Sequence, residues 1–406
     1  MKSSLPKSDC VAVDRGMADR LVARPELRVA NLGELWWLRQ RFFAEIDRAN
    51  GSAGSCLGLR WDARTASPVP EAPAVIVVVP KGPNRTWTAR KRAIGGMGRM
   101  LYAASSPFGR PLWGWVEVVP AKDEGELAGD DRQPTRLGFE NERLLQRLRR
   151  FPLRPGSAIH KAARGCNGAL GPIFRLGNDR FAATARHVIE APDALNQPIF
   201  QGRRRVGSVA WVGEEEGVKQ YLDGRFHSLR QGLPEAASRR RARYVLDVAW
   251  IRLDPETRCV GWPDETTRDP VAPEPFELDP ARAGFEPLGE RVISCGPQRG
   301  AQSGQIVGFN LQQRDDNSDG SWFADYVIRP LGGPEENADD EHGPLFSEDG
   351  DSGKGVWLER GGRPLGILHD ALNREARIGR GPEFWSVASD LGRAWRRLRE
   401  ALSNRW

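Results

Sequence analysis

Cysteine is scarce in this chain. Its 406 residues include five, Cys10, Cys56, Cys166, Cys259 and Cys295, odd in number and far apart. No CxxC pair occurs, so neither a disulfide framework nor a zinc or other metal site is expected. A run of about 18 apolar residues is also lacking, which argues against a transmembrane helix and a membrane partner. The opening stretch, MKSSLPKSDCVAVDRGMADRL, has no continuous apolar segment and an early acidic residue, so no signal peptide is expected. Few cysteines and no export signal together point to a reducing, cytoplasmic setting. Convincing repeats are missing, and nothing calls for a cofactor.

Hydrophobic residues make up 39% of the chain and charged residues 28%, the balance of a soluble globular protein. The length exceeds one ordinary core and suggests two or three domains. Net charge is +6. Arginine concentrates in GRRRVG (203–205) and SRRRARY (239–243). Such clusters can contact nucleic acid. No aromatic-rich nucleic-acid motif accompanies them, so they read as solvated loops, and nucleic acid is not an expected partner.

Residues 1 to about 24 carry little structural signal. PELRVANLGELWWLRQRFFAEIDRAN reads as a helix, with Leu35, Leu38, Phe42 and Ile46 at spacings of three and four. AVIVVVP (74–80) and LWGWVEVVP (112–120) read as strands, and TWTARKRAIGGMGRMLYAAS as a helix broken by glycines. A small α/β or α+β domain is therefore expected over residues 1–150.

The character changes after residue 153. Short β runs take over, punctuated by Gly, Asp and Pro. GPIFRLG and RFAATARHVIE flank Gly177-Asn178-Asp179, a hairpin signal. GVWLE and PLGILHD pair across residues 360–363. RYVLDVAWIRLD reads as one strand with apolar residues on both faces. SDLGRAWRRLREAL closes the chain as a helix that Ser389 or Asp390 can cap, with Leu391, Trp395, Leu398 and Leu402 as its apolar stripe. Two groups of strands joined by the Pro-rich DPVAPEPFELDPARAG suggest two small barrels, over residues 151–270 and 271–406.

Three motifs in this region carry chemistry. TARHVIE places His187 at the end of a strand, LDVAWIRL places Asp247 within one, and EDGDSGKGVW places Ser352 in a glycine-framed turn. A serine hydroxyl needs a base to take its proton, and histidine has a suitable pKa. An aspartate on the other ring nitrogen fixes the tautomer. Glycines allow backbone N–H groups to point inward at a developing oxyanion.

In that order and context, TARHV, DVAWIRL, GDSG and PLGILHD resemble the motifs of the chymotrypsin-like (trypsin-fold) serine peptidases, over roughly residues 155 to 406. The resemblance implies a double six-stranded β-barrel with a C-terminal helix and the site in the cleft between barrels. It implies His187 as general base then acid, Asp247 as its orienter and Ser352 as nucleophile, with the N–H groups of Gly350 and Ser352 as the oxyanion hole. Phe346, Ser347 and His369 fall in segments that line the family's specificity pocket, and a similar Ser/His pair favours acidic side chains in some bacterial relatives. Asp351 stands where the family pairs an aspartate with a newly cut N-terminus.

The sequence also departs from the pattern. Val188 replaces the disulfide cysteine common after the histidine, and Lys354-Gly355 alters the turn beyond GDSG. These departures suit an intracellular, bacterial-type member. The implied activity is serine endopeptidase, acting on protein substrates and open to control by a regulatory protein through residues 1–150. The alternative is a non-catalytic module that binds a protein or nucleic acid on a peptidase fold.

Other motifs read as decoys. RKRAIGG (90–96) resembles an activation site but lies roughly 90 residues before His187, too far for the first barrel's opening strand. DDNSDG (315–320) starts like a calcium loop but has Tyr326 at the closing position, so a hairpin loop is expected. The acidic PEENADDEHGPLFSEDGD reads equally as a basic-substrate attractor and as a solvated loop.

Overall fold

The computed structural model describes residues 8–10, 15–48, 54–62, 67–80, 100–121, 152–161, 167–189, 194–213, 215–217, 242–261, 271–279, 283–297, 300–314, 321–331, 346–347, 350–375 and 382–403. The RKRAIGG and DDNSDG motifs, Arg239 to Arg241, and most of the acidic stretch before Ser352 lie outside them.

A helix, α1 (Arg15–Val22), forms where the sequence carries little signal. Its Met17 and Leu21 are buried with Tyr102 and Trp113, so tertiary burial, not local propensity, orders it. The expected helix from residue 25 is instead a 3₁₀ turn (Pro25–Leu27), α2 (Leu32–Arg41) and α3 (Phe43–Arg48). Asn31 sets the start of α2, its side chain accepting from the Glu34 N–H at 2.9 Å. Leu35, Leu38, Phe42 and Ile46 all enter one core.

Beneath these helices lie β1 (Gly54–Asp62), β2 (Ser67–Pro80), β3 (Met100–Ala103) and β4 (Leu112–Ala121). They run in the order β1-β2-β4-β3, with β2 and β4 parallel. Met100–Ala103 is thus a strand where a broken helix is expected. Its residues are all buried, and cross-strand pairing with β4 satisfies their backbone.

The next strands are β5 (Ala158–Lys161), β6 (Asn167–Ala169), β7 (Ile173–Leu176) and β8 (Asp179–Thr184), followed by a single helical turn, α4 (Arg186–Ile189). Then come β9 (Pro198–Gln201), β10 (Arg204–Val212), β11 (Glu215–Gly217), β12 (Ala242–Val245) and β13 (Ala249–Leu253). One sheet has the order β6-β5-β9-β10-β13-β8-β7. Its two ends are halves of one strand path, interrupted at Leu170–Pro172, with β6 on β5 and β7 on β8. Counted as one strand, they close a ring of six. The β7–β8 hairpin turns at Gly177-Asn178, with Gly177 at φ 61.

The second ring comprises β14 (Arg291–Gly296), β15 (Gly300–Arg314), β16 (Ser321–Pro330), β17 (Gly355–Leu358), β18 (Pro364–Glu375) and β19 (Pro382–Asp390). Pairing runs β14-β15-β16-β19-β18-β17 and back to β14, so this barrel is closed. The helix α5 (Leu391–Ser403) follows, with Asp390 Oδ1 accepting from the Arg393 N–H at 3.0 Å as its cap. Trp395 of α5 stacks on Phe174 and meets Trp250, fastening the helix to the first barrel.

The long strands of the second barrel extend past the ring and receive the N-terminal sheet. The first part of β15 pairs with β14, and its later part, Gly308 to Gln313, pairs with β1. Arg374 of β18 pairs with Ala121 of β4. From α2, the fully buried Arg39 donates to Asn310 O at 2.6 Å and Ser55 O at 3.2 Å, and also to Asn310 Oδ1. The sheet of residues 54–121 is therefore continuous with the second barrel.

Candidate active site

The stretch expected as one strand, RYVLDVAWIRLD, divides at Leu246-Asp247-Val248. Before the break, β12 pairs with β16 in the second barrel's sheet; after it, β13 pairs with β10 and β8 in the first. Asp247 thus sits where the chain crosses between barrels. Its N–H donates to the Ser389 hydroxyl at 3.2 Å. Ser389, one of two candidate caps, serves this crossing while Asp390 caps α5.

His187 lies in α4, three residues beyond the end of β8. Its backbone N–H donates to Asp247 Oδ1 at 3.0 Å, and its Nδ1 lies 2.7 Å from Asp247 Oδ2. The carboxylate therefore grips the histidine by backbone and ring together, which fixes the proton on Nδ1 and leaves Nε2 as the acceptor. Burial pushes the Asp247 carboxyl up, but the charge and hydrogen bonds of His187, with help from His369, outweigh it and hold it at about 2. Asp247 is thus ionised throughout the neutral range.

Ser352 is partly exposed in the turn before β17. Its carbonyl accepts from the Ala169 N–H at 2.7 Å, and the Gly353 N–H donates to Leu368 O at 2.8 Å. A Cβ on Gly353 would lie 2.4 Å from Ala169 O and Thr184 Oγ1, and 2.9 Å from Ala185 N. A Cβ on Gly168 would meet both Val188 Cγ2 at 2.5 Å and Ser352 O at 2.7 Å. The turn of Ser352 is therefore pressed, without intervening side chains, onto the segment that carries His187. Among the described residues the Ser352 hydroxyl makes no hydrogen bond. Such bonds are often long in the absence of substrate and tighten on binding.

Gly350 and Gly353 have φ of 90° and 97°, in the left-handed region that glycine tolerates. The Gly353 and Lys354 N–H groups are satisfied within the protein. Among the described residues, those of Gly350 and Ser352 have no backbone acceptor.

The three residues expected to line a specificity pocket take different places. Phe346 is fully buried, with its ring 5.2 Å from the Lys354 ammonium. Ser347 shares a 2.6 Å hydrogen bond with Ser386. His369, at the end of the barrel part of β18, is half-buried, with its Nδ1 3.7 Å from Asp247 Oδ2. Its Nε2 has no partner among the described residues.

Sequence reasoning passed over one residue. Lys354 reads as an alteration of the turn, yet its side chain is fully buried and its ammonium bonds Asp351 Oδ2 at 2.9 Å, Gln302 Oε1 at 2.7 Å and Phe346 O at 2.5 Å. The available signal was the i, i+3 spacing from Asp351 across the glycine turn.

No family model and no curated protein matches the sequence. Among solved structures, the chain is similar to Thermobifida fusca protease A, at 15% identity, over 58% of this chain and 90% of that one, with a TM-score of 0.32. A glutamic acid-specific serine protease with a histidine triad in substrate binding matches at 14% identity, over 60% and 95%, with a TM-score of 0.36. Cellulomonas bogoriensis chymotrypsin matches at 15%, over 61% and 95%, with a TM-score of 0.35. By its own strand ladder, two six-membered rings followed by a helix, the chain from Ala158 onward has the double-barrel fold of the chymotrypsin-like serine proteases.

Proposed function

We propose that the chain is a serine endopeptidase working through Ser352, His187 and Asp247. The observation that carries this reading is the double grip of Asp247 on His187, at 2.7 and 3.0 Å, beside the turn of Ser352. A structural role alone gives no reason to hold an imidazole by both its ring and its backbone while leaving it 39% exposed.

In this mechanism His187 Nε2 takes the Ser352 proton as Oγ attacks the scissile carbonyl. The N–H groups of Gly350 and Ser352 receive the oxyanion. The tetrahedral intermediate collapses to an acyl-enzyme as His187 returns the proton to the leaving amine. Water, deprotonated by His187, then releases the acid. Asp247 stays ionised and stabilises the imidazolium.

The proposal also gives residues 1–150 a control role, because one strand touches both regions. Near its start, β15 presents Gln302 to the Lys354 ammonium; further along, it presents Asn310 to Arg39 of α2. The rival is a binding module on the same fold, which would need no activated serine. A fluorophosphonate probe separates them. Wild-type protein is expected to be labelled at Ser352, and Ser352→Ala to take no label. Unlabelled wild type would leave the binding module.

A further inference from the structure

We infer that Lys354 is the built-in cation that holds the Ser352 turn in its working shape, so that the site assembles in the uncut chain without a charge from a new terminus or a partner. The inference deepens the peptidase proposal and rests on it for its activity readout alone.

Residues 351–354 form a four-residue turn, closed by the Lys354 N–H donating to Asp351 O at 2.9 Å. Ser352 and Gly353 are its two central residues. The side chains at its two ends meet in a second closure, the 2.9 Å ion pair between Lys354 Nζ and Asp351 Oδ2. Side-chain exposure is 0% for the lysine and 1% for the aspartate. A buried carboxylate needs a compensating charge, and here the turn supplies it from its own far end.

The pair is also fixed to its surroundings. An ammonium has three protons, and all three have acceptors: Asp351, Gln302 on β15 and the Phe346 carbonyl. The Asp351 carboxylate also lies close against the backbone of Gly296. A Cβ on Gly296, at the end of β14, would lie 2.1 Å from Asp351 Oδ1. Three chain segments therefore converge on one ammonium at the end of the turn that carries Ser352. Lys354 touches neither hydroxyl nor oxyanion site; it is a positioning residue.

The test uses the full-length chain and a neutral double variant, Asp351→Asn/Lys354→Met, which removes both charges and leaves no buried ion alone. Lys354→Met by itself removes the buried ion pair of the turn but keeps the carboxylate's charge, and is expected to destabilise the fold. Four readouts are needed: fluorophosphonate labelling with intact mass, peptide kinetics, thermal melting, and amide exchange of residues 350–355. The labelled wild type is expected to be the uncut chain. The double variant should melt near the wild-type temperature, yet label and turn over roughly 100-fold more slowly or worse, with KM little changed. Its Gly353 and Lys354 amides should exchange at least about tenfold faster, with the first barrel unaffected.

Wild-type labelling rates and unchanged exchange in the double variant would overturn the inference, as would label found only on a cleaved chain. Faster exchange in a protein whose wild type takes no label would uphold the turn's design and sink the peptidase reading instead.

Discussion

His369 Nδ1 stands 3.7 Å from Asp247 Oδ2, the same oxygen that faces the His187 ring. One carboxylate thus serves a histidine whose side chain is 39% exposed on one side and one whose side chain is 9% exposed on the other. Burial lowers the His369 pKa; Asp247 pulls it up, His187 pushes it down and Asp325 pulls it up, and the result is a net lowering. His369 is neutral at neutral pH.

That lowering makes stability pH-dependent. Below the ordinary histidine range, near 6.5, the unfolded chain takes a proton that the folded chain refuses. Stability then falls as pH drops. Chemical denaturation between about pH 7 and 5 should show a shallower loss for His369→Asn than for wild type. Parallel curves would show that His369 is not the group responsible. Asp247 acts in a separate window, contributing above 3.8 and losing its contribution as pH falls through about 2.

Asp247→Asn should leave the fold in place and lower kcat by about 10⁴-fold, because the amide no longer fixes the His187 proton on Nδ1. His187→Ala and Ser352→Ala should each cost as much or more. Combining all three should add little, since the groups act as one unit. Steady-state kinetics on one good peptide substrate checks this. Independent, additive losses would mean that the three do not share a step.

The barrels were legible in the sequence, and the three candidate residues could be singled out there, because each has a local signature. Alternating strands, the Gly177-Asn178 hairpin and the glycine-framed serine all act over a few residues. What escaped depends on distant contacts. Nothing within RYVLDVAWIRLD marks the change of sheet at Asp247, since both halves are apolar and enter one continuous core. The order of α1 comes from Tyr102 and Trp113, far away in sequence. Lys354 read only as an alteration of the turn; a lysine is almost never fully buried, and only its contacts with Asp351, Gln302 and Phe346 in three dimensions reveal its place.

Arg39→Met should destabilise the protein by about 2–3 kcal/mol, because the hydrogen bonds that a buried charged donor makes to Asn310 and Ser55 are lost. Arg39→Lys should recover only part of this, since an ammonium cannot reproduce the planar fork. Thermal and urea denaturation measure both. A loss no greater than that of an exposed arginine would show that Arg39 does not anchor α2 to β15.

Removing residues 1–150 should not yield a clean peptidase. The β1 strand covers β15 from Gly308 to Gln313. Without it those backbone groups become an open edge, a template for intermolecular pairing. The loss extends to the interior. Val307, Leu311, Ala324, Val327, Trp385 and Val387 of the second barrel share one buried cluster with Cys56, Ile76, Val78 and Val119 of the N-terminal strands. Truncation uncovers that apolar face as well. A chain beginning at residue 151 is therefore expected to melt well below full-length protein and to aggregate on concentration, whatever its chemistry. Light scattering and thermal melting decide the point. A monomeric truncated protein with the full-length melting temperature would refute it, and would show that the N-terminal sheet contributes nothing to the barrel it extends. If truncation fails as expected, control by residues 1–150 has to be sought in the intact chain. Arg39→Lys is the suitable probe, because it loosens the far end of β15 while leaving Gln302, Lys354 and Asp351 in place. A change in kcat at unchanged KM would show that strain on β15 reaches the Ser352 turn. Unchanged kcat in a folded Arg39→Lys protein would confine the N-terminal sheet to support and docking.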